Sequence, residues 1–507
     1  MTDVSKQIGV GRPSFLTEPQ KQQIYDTALG ILADIGMKVL HEEGEAVMLA
    51  GGCTRDDAGL VHVPAELVQK ARETVPASFT VYDRSGEPAM ELGGRNSYYG
   101  NGSDLMHLFD LETGERRLAT LDDVIVAARL CDALPDIDFV MSGAYPDGME
   151  AQQAYPKQFN AMIKATAKPL VMTAGGVDTV EPMWRMACEV RGGADELRAK
   201  PYFVMYNQPV SPLKHPFETV DKLLFCADRG IPSTYCPSPI AGGTAPITTA
   251  GQVTLGIAEA LFGLVMHQLR APGAPFVIGQ GPNVLDMATA QSMYNSPEFV
   301  RAYACEIEMA KWLDLPNWGF SGHTDAQVID AQAGMEADEL TKLSMQLGSN
   351  LNHDVGYLDF GLTGSLEELV MVAEFIARDR CLLADIEVPR RVPLTEEVAA
   401  RADLDQHVHG QGLGRHYDGG QQAPVSGDEL GDHHELLERT REPEVEVADV
   451  MIEVGAELHG QLGELVRLHA RLSVDDLGVG VAAEAPVGQV EPLGHLDLAG
   501  IGAHKLR

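Results

Sequence analysis

Positive charge is scarce in this 507-residue chain: 38 lysines and arginines stand against 74 aspartates and glutamates, a net charge of −36. A basic face is what nonspecific nucleic-acid binding and docking on anionic lipid require, so neither nucleic acid nor membrane is expected as a partner. A basic partner, or a cationic ligand in an acidic pocket, fits the sign. No run of about 18 apolar residues occurs, which argues against a membrane span. The opening M-T-D-V-S-K-Q-I-G-V-G-R-P has no apolar signal region. The seven cysteines are scattered with no C-x-x-C pair, the pattern of reduced thiols in a cytoplasmic protein.

Several chemical motifs are missing as well. There is no G-x-x-x-x-G-K-[ST] phosphate loop, no G-x-G-x-x-G behind a strand, no H-E-x-x-H metal pair and no G-x-S-x-G nucleophile elbow. A nucleotide, a metal and a serine nucleophile are therefore not expected. The cluster Asp432, His433, His434 and Glu435 resembles a metal set but falls in a compositionally poor tail.

Three segments follow from the patterning. Residues 1–94 read as an N-terminal α+β cap. An amphipathic helix is expected over 18–39, with Leu29, Ile31, Leu32, Ile35 and Met37 inward, then a helix opening near Pro64 and a strand over 79–82. Residues 95–391 show eight short β-rich runs beginning at Ser97, Asp138, Pro169, Tyr202, Ile231, Pro275, Asn317 and Asn352, with helical patterns between, such as 252–268. Most runs are continuously apolar, as strands buried on both faces are. Even spacing favours an α/β fold of the (β/α)8 TIM-barrel type over a doubly wound open sheet. A strong helix is expected over 366–383. Residues 392–507 form an atypical tail. From residue 405 onward it holds 19 acidic and 7 basic residues, nine of the sixteen histidines, and Tyr417 as its only aromatic. Composition of that kind predicts disorder, a shifted reading frame or an unrelated extension.

In a (β/α)8 barrel the active site forms where strands end. The first run is followed by Asn101, Ser103 and Asp104, the second by Ser142 and Tyr145, the third by Thr173. The fourth ends in Tyr206, Asn207 and Gln208, the fifth in Tyr235 and then Gly242, Gly243 and Thr244, and the sixth at Gln280. The seventh gives Ser321, His323, Thr324 and Asp325, the eighth His353, Asp354, Tyr357 and Asp359. The Gly242–Gly243–Thr244 turn offers backbone N–H groups to an anion. His323 with Asp325 or His353 offers an acid/base pair or a metal pair.

Several motifs together resemble the trimethylamine methyltransferase (MttB-like) family over residues 19–391. They are Y-G-N-G-S-D at 99–104, D-L-E-T-G-E-R-R-L-A-T-L-D-D at 110–123, S-P-L-K-H at 211–215, Y-C-P-S-P-I-A-G-G-T-A-P-I-T at 235–248, Q-L-R-A-P-G-A-P at 268–275, S-G-H-T-D-A-Q-V-I-D-A-Q-A-G-M-E at 321–336 and V-G-Y-L-D-F-G-L-T-G-S-L-E at 355–367. The resemblance implies a TIM barrel and methyl transfer from a methylated amine to the cobalt of a corrinoid (cobalamin) carried by a partner protein. No pyrrolysine stands in the chain, which by the same resemblance points to the branch acting on quaternary amines such as glycine betaine. A homo-oligomer is expected.

A quaternary nitrogen is already cationic, so its amine departs neutral and needs no general acid. The protein's task is then to orient the methyl group and exclude water. Aromatic faces and carboxylates suit such a head: Tyr98, Tyr99, Tyr206, Tyr235 and Tyr357, with Asp104 and Asp325. His323, His353, Asn101, Asn207, Gln280 and the Gly243 backbone would serve a substrate carboxylate. The competing expectations are a cobalt-independent acid/base barrel enzyme using His323 and Asp325, and a non-catalytic betaine-binding barrel.

Overall fold

Each of the eight apolar runs meets a parallel neighbour. The computed structural model describes residues 13–384; the tail expected over 392–507 lies outside the described residues. The strands are β1 (Tyr98–Asn101), β2 (Leu170–Met172), β3 (Phe203–Met205), β4 (Ser233–Tyr235), β5 (Phe276–Ile278), β6 (Trp318–Phe320) and β7 (Leu351–Val355). β2 to β5 form one parallel sheet in chain order, and β6, β7 and β1 another, in register Trp318–Leu351–Tyr98. The second run contributes Phe139 and Val140 as single parallel bridges, to Gly100 and to Leu170 respectively, and Ile278 bridges in parallel to Asn317. This is an α/β fold with parallel sheets.

The helices between the strands are α1 (Leu121–Ala133), α2 (Ala151–Ala165), α3 (Val177–Arg191), α4 (Phe217–Arg229), α5 (Thr249–Arg270), α6 (Pro297–Trp312) and α7 (Ala331–Leu347), and α8 (Leu366–Leu383) follows β7. Their ends carry the expected chemistry. The Asp330 side chain accepts from the N–H groups of Gln332 and Ala333 to start α7, and Gly348, at φ 73°, ends it in the left-handed region. Ser365 caps α8 through the Glu368 N–H. α5 is buried on all sides, because helices of the N-terminal segment (Glu18–Gly30, Glu42–Ala50 and Ala65–Thr74) cover the face turned away from the strands. It is long and apolar enough to cross a membrane, yet 83% of its apolar window is buried within the protein.

The strand pleat sorts side chains between two environments. Leu170 and Met172, Phe203 and Met205, and Phe276 and Ile278 pack outward against helices. The residues between them, Val171, Val204 and Val277, join Tyr98, Phe139, Met141, Cys236, Trp318 and Leu351 in a separate inner cluster. That inner cluster is closed from one end by the hairpin Ser78–Tyr82 and Pro88–Gly93, which inserts Val81, Met90 and Leu92. The hairpin bonds to residues just ahead of the strands: the Tyr82 N–H donates to the Pro201 carbonyl and the Arg84 N–H to the Ala167 carbonyl. The polar strand ends therefore lie at the opposite, carboxyl side.

One expected element differs. The helix expected over 18–39 becomes the α-helix Glu18–Gly30 and a π-turn Ile31–Ile35. Gly36, at φ 76°, then breaks the path, and Lys38–Val39 pairs in parallel with Lys214–His215. Of the residues expected inward, Leu32 and Met37 are fully buried, whereas Ile35 is 51% exposed.

Buried Asn350 holds the amino side together. Its Oδ1 accepts from the Lys311 Nζ and the Asn317 N–H, and its Nδ2 donates to the carbonyls of Gly93 and Asn96. Asn350→Leu orphans several of these groups at once. It should cost on the order of 2–4 kcal/mol, read as a lower denaturant midpoint; an unchanged midpoint would refute the role given to this residue.

Candidate functional site

A cavity of ≈ 280 Å³ opens among the carboxyl ends of the strands. Its aromatic walls are Tyr206 after β3, Trp318 and Phe320 of β6, Tyr357 after β7, and Tyr294 from the loop before α6. Its polar walls include Asp104, Gln208, Ser238, Asn283, His353 and Asp354, and among the described residues no lysine or arginine lines it.

The pleat explains this composition. Trp318 and Phe320 are two residues apart on β6 and share the inward face, as do Leu351 and His353 on β7. The His353 ring lies 4.2 Å from that of Trp318 and 4.6 Å from that of Phe320, and Tyr206 lies 5.2 Å from Trp318. Tyr357 crosses directly over Gly102, where any Cβ would strike the phenol ring at 2.1–2.3 Å, and its hydroxyl donates to the Ser103 carbonyl. Gly102 is thus the only residue type that lets this ring reach the cavity.

Two carboxyls shape the electrostatics. Asp104 sits at φ 59°, and its backbone N–H donates to Ser142 Oγ at 3.2 Å. Burial pushes its carboxyl up to about 6, against the opposing influence of Thr173 and of the Lys222 ammonium behind it. Burial lowers Lys222 to about 8; its Nζ donates to the Ala174 carbonyl at 2.7 Å. Asp354, at φ 73°, is 3% exposed and held well above the usual carboxylate range by burial. Backbone in this region is uncommon for a residue with a Cβ and is concentrated at functional sites. Burial also pushes His353 down to about 3 and His323 to about 4.

The residues expected from strand-end position divide into groups. Asp104, His353 and Tyr357 line the cavity. His323 and Asp325 stand behind it and position Tyr294: His323 Nε2 donates to the Tyr294 carbonyl at 2.7 Å, while Asp325 accepts from the N–H groups of Tyr294 and Asn295 at 2.9 Å. With both oxygens so engaged, Asp325 does not reach the cavity wall. Asn101 staples β1 to the second run by a reciprocal pair of bonds with Met141.

Ser103, Thr173, Tyr206, Gln208 and Asp354 from the same strand ends also line the cavity, whereas four others face away. Tyr99 points outward, its hydroxyl 3.2 Å from Ser344 Oγ of α7. Tyr235 points outward to His215 Nδ1 at 2.5 Å, Asn207 donates to Ser233 Oγ at 2.6 Å, and Gln280 faces α5. Gly242, Gly243 and Thr244 spend their N–H groups inside their own loop, on the carbonyls of Ala245 and Ile240, which leaves none free for an anion. Strand-end listing did not single out Tyr294, Trp318 and Phe320; the alternation within W-G-F is the signal that places the last two.

Comparisons with known proteins fit this geometry. A family model described as trimethylamine methyltransferase (MTTB) matches residues 6–416, past Arg391, where the resemblance read from the sequence ends. The chain is 28% identical over 369 residues to trimethylamine methyltransferase MttB of Desulfitobacterium hafniense (strain DSM 10664 / DCB-2), covering 73% of this chain and 74% of that protein. It is 27% identical over 366 residues to glycine betaine methyltransferase of Desulfitobacterium hafniense (strain Y51), covering 71% and 75%. Among solved structures, the Methanosarcina barkeri monomethylamine methyltransferase (MtmB) aligns with a TM-score of 0.48 at 10% identity, covering 75% of this chain and 80% of that one.

The raised Asp104 carboxyl gives a pH prediction. The native state holds a proton that the unfolded chain, at its ordinary value of 3.8, has lost. The associated stability is complete below about pH 4 and is lost as pH rises through about 6. Asp104→Asn should therefore melt higher than the parent at pH 7.5, with the difference shrinking toward pH 4. A constant difference across that range would contradict the assignment.

Proposed function

This chain belongs to the trimethylamine methyltransferase family and is a methyltransferase; from that premise we propose that it moves a methyl group from a quaternary amine, such as a betaine, to the reduced corrinoid of a partner protein. We infer in addition that the eight parallel runs close into a (β/α)8 barrel. The bridges Gly100–Phe139, Val140–Leu170 and Ile278–Asn317, and the single inner cluster drawn from all eight runs, support that closure.

One observation carries the substrate reading: five aromatic rings, the buried carboxyl of Asp354 and the partly buried one of Asp104 surround a small cavity whose described wall carries no basic side chain. A trimethylammonium head has no N–H to donate and a permanent charge. Aromatic faces attract it by about 0.5–2 kcal/mol each, more when water is excluded. The carboxyls of Asp104 and Asp354 supply the opposite charge once ionised. For a substrate that also bears a carboxylate, Gln208, Asn283 and Ser238 are neutral donors on the wall, and the buried Trp318 Nε1–H has no hydrogen-bond partner among the described residues.

The same volume bears on the methyl acceptor. At ≈ 280 Å³ the cavity fits a small amine and not a corrin macrocycle, so the ring system is left to the partner, presented from outside. When bound, the corrinoid supplies the reduced cobalt that takes the methyl group. The residues of this chain bind the ammonium head, orient one methyl toward the mouth and keep water away, a positioning task rather than proton chemistry. Because the quaternary amine leaves neutral, no acid on the protein is needed to expel it.

The assay is methylcobalamin formation from cob(I)alamin, followed by absorbance, with a panel of quaternary and tertiary amines. Turnover with a quaternary amine and none with trimethylamine is expected. Turnover that proceeds without cobalt, or quaternary-amine binding with no methyl transfer under any acceptor, would defeat the proposal. Tyr206→Leu, which removes a half-exposed ring without emptying the core, should raise the amine Kd by roughly 2–30-fold. An unchanged Kd would remove Tyr206 from the binding surface.

A further inference from the structure

Two imidazoles beside Asp354 are fixed by main-chain carbonyls. His353 Nδ1 lies 2.7 Å from the Gly319 carbonyl oxygen, and His323 Nε2 lies 2.7 Å from that of Tyr294. A carbonyl only accepts, so these nitrogens carry the protons. In each neutral ring the other nitrogen then presents a lone pair. Both of those nitrogens face one carboxyl: His353 Nε2 is 3.1 Å from Asp354 Oδ1, and His323 Nδ1 is 3.8 Å from Asp354 Oδ2. An ionised Asp354 would thus set acceptors against acceptors with nothing between them. His323 Nδ1 is fully buried and has no hydrogen-bond partner among the described residues. A proton on the carboxyl or on one of the facing nitrogens would turn the closer of these contacts from a repulsion into a donor–acceptor pair.

Two further carboxyls stand nearby: Tyr357 senses Asp104 as well as Asp354, and Tyr294 senses Asp325 as well as Asp354. Tyr206, Tyr294, Tyr357 and Cys236 are the titratable groups close enough to sense Asp354, all neutral near pH 7. The ammonium of Lys222 stands with Asp104.

We propose that His323, His353 and Asp354 form a proton-exchange unit, which holds one shared proton while the cavity is empty and releases it to solvent when a quaternary cation enters. The proposal rests on the cationic-substrate reading above. A buried carboxyl is neutral because nothing compensates its charge, and a cation beside it reverses that preference. One positive charge enters as one proton leaves. A neutral tertiary amine brings no charge to exchange, so it gains nothing from the unit. After one methyl departs, the remaining amine is neutral, the carboxylate recaptures a proton from solvent, and the ion pair that held the substrate is gone.

The test is titration calorimetry of the full chain with tetramethylammonium chloride at pH 7, in two buffers of different ionisation enthalpy. About one proton should be released per cation bound, and Kd should tighten about tenfold per pH unit while the unit is protonated. Asp354→Asn should bind without release, and Asp104→Asn should bind with release intact. Binding by the parent without release overturns this proposal alone; release lost in Asp104→Asn but kept in Asp354→Asn does the same. Failure of every quaternary ammonium ion to bind overturns the substrate reading along with it. Carboxyl 13C shifts give an independent readout: the signal lost in Asp354→Asn should titrate as a neutral acid in ligand-free protein at pH 7. An ionised carboxylate beside two neutral imidazoles there would also overturn it.

Discussion

The pleat of the parallel strands is the constraint on which the site depends. Successive side chains on a strand point to opposite sides, so a displacement of one residue changes the environment completely. On β6 the pattern W-G-F puts two large rings inward and only Gly319 outward, beside the Tyr303 hydroxyl and Asn352. On β7 the same alternation puts His353 inward, tilted against those rings, while Asn352 turns outward to bond with Tyr303 and the backbone. The cavity is the place where the inward sets of several strands run out of partners.

That location sets the energetics. Asp104, Asp354, His353 and His323 sit where water is scarce, and burial acts against the charged form of each. Such groups are costly in the empty protein and persist where they serve a ligand. The expense is limited by keeping the groups neutral: lone pairs face a protonatable carboxyl, and Lys222 stands with Asp104. On the proposed reading a cationic ligand would supply the missing charge, so the features that weaken the empty site would be the ones that strengthen the complex. The positive-φ backbone at Asp104 and Asp354 belongs to the same balance.

Much of the architecture was legible from residues alone. Continuous apolar runs at regular intervals identified seven strands and a second run that contributes isolated parallel bridges, since strands buried on both faces need no polar side. α8 could be bounded at both ends by its Ser365 cap and periodicity. The helix expected to reach Val39 could not, because Gly36 and the pairing of Lys38–Val39 with a segment 176 residues away are tertiary facts. At the site, strand-end position located Asp104, His353 and Tyr357 but not the direction of their neighbours. Tyr99, Asn207 and Tyr235 have the right chemistry on the wrong parity. His323 and Asp325, the most reactive-looking pair in the chain, prove to be the supports of Tyr294. Tyr294 itself follows the short antiparallel strand Ser292–Met293, away from the ends of β1 to β7, and nothing in its local sequence marks it.

The central claim is that the cavity recognises a permanent positive charge and not merely a bulky apolar head. Its most direct measurement compares glycine betaine with 3,3-dimethylbutanoate, in which carbon replaces the quaternary nitrogen and the shape is retained. Calorimetry with the full chain should show the betaine binding at least about tenfold more tightly, the equivalent of about 1.4 kcal/mol of charge recognition. Equal affinities for the two compounds would contradict the account.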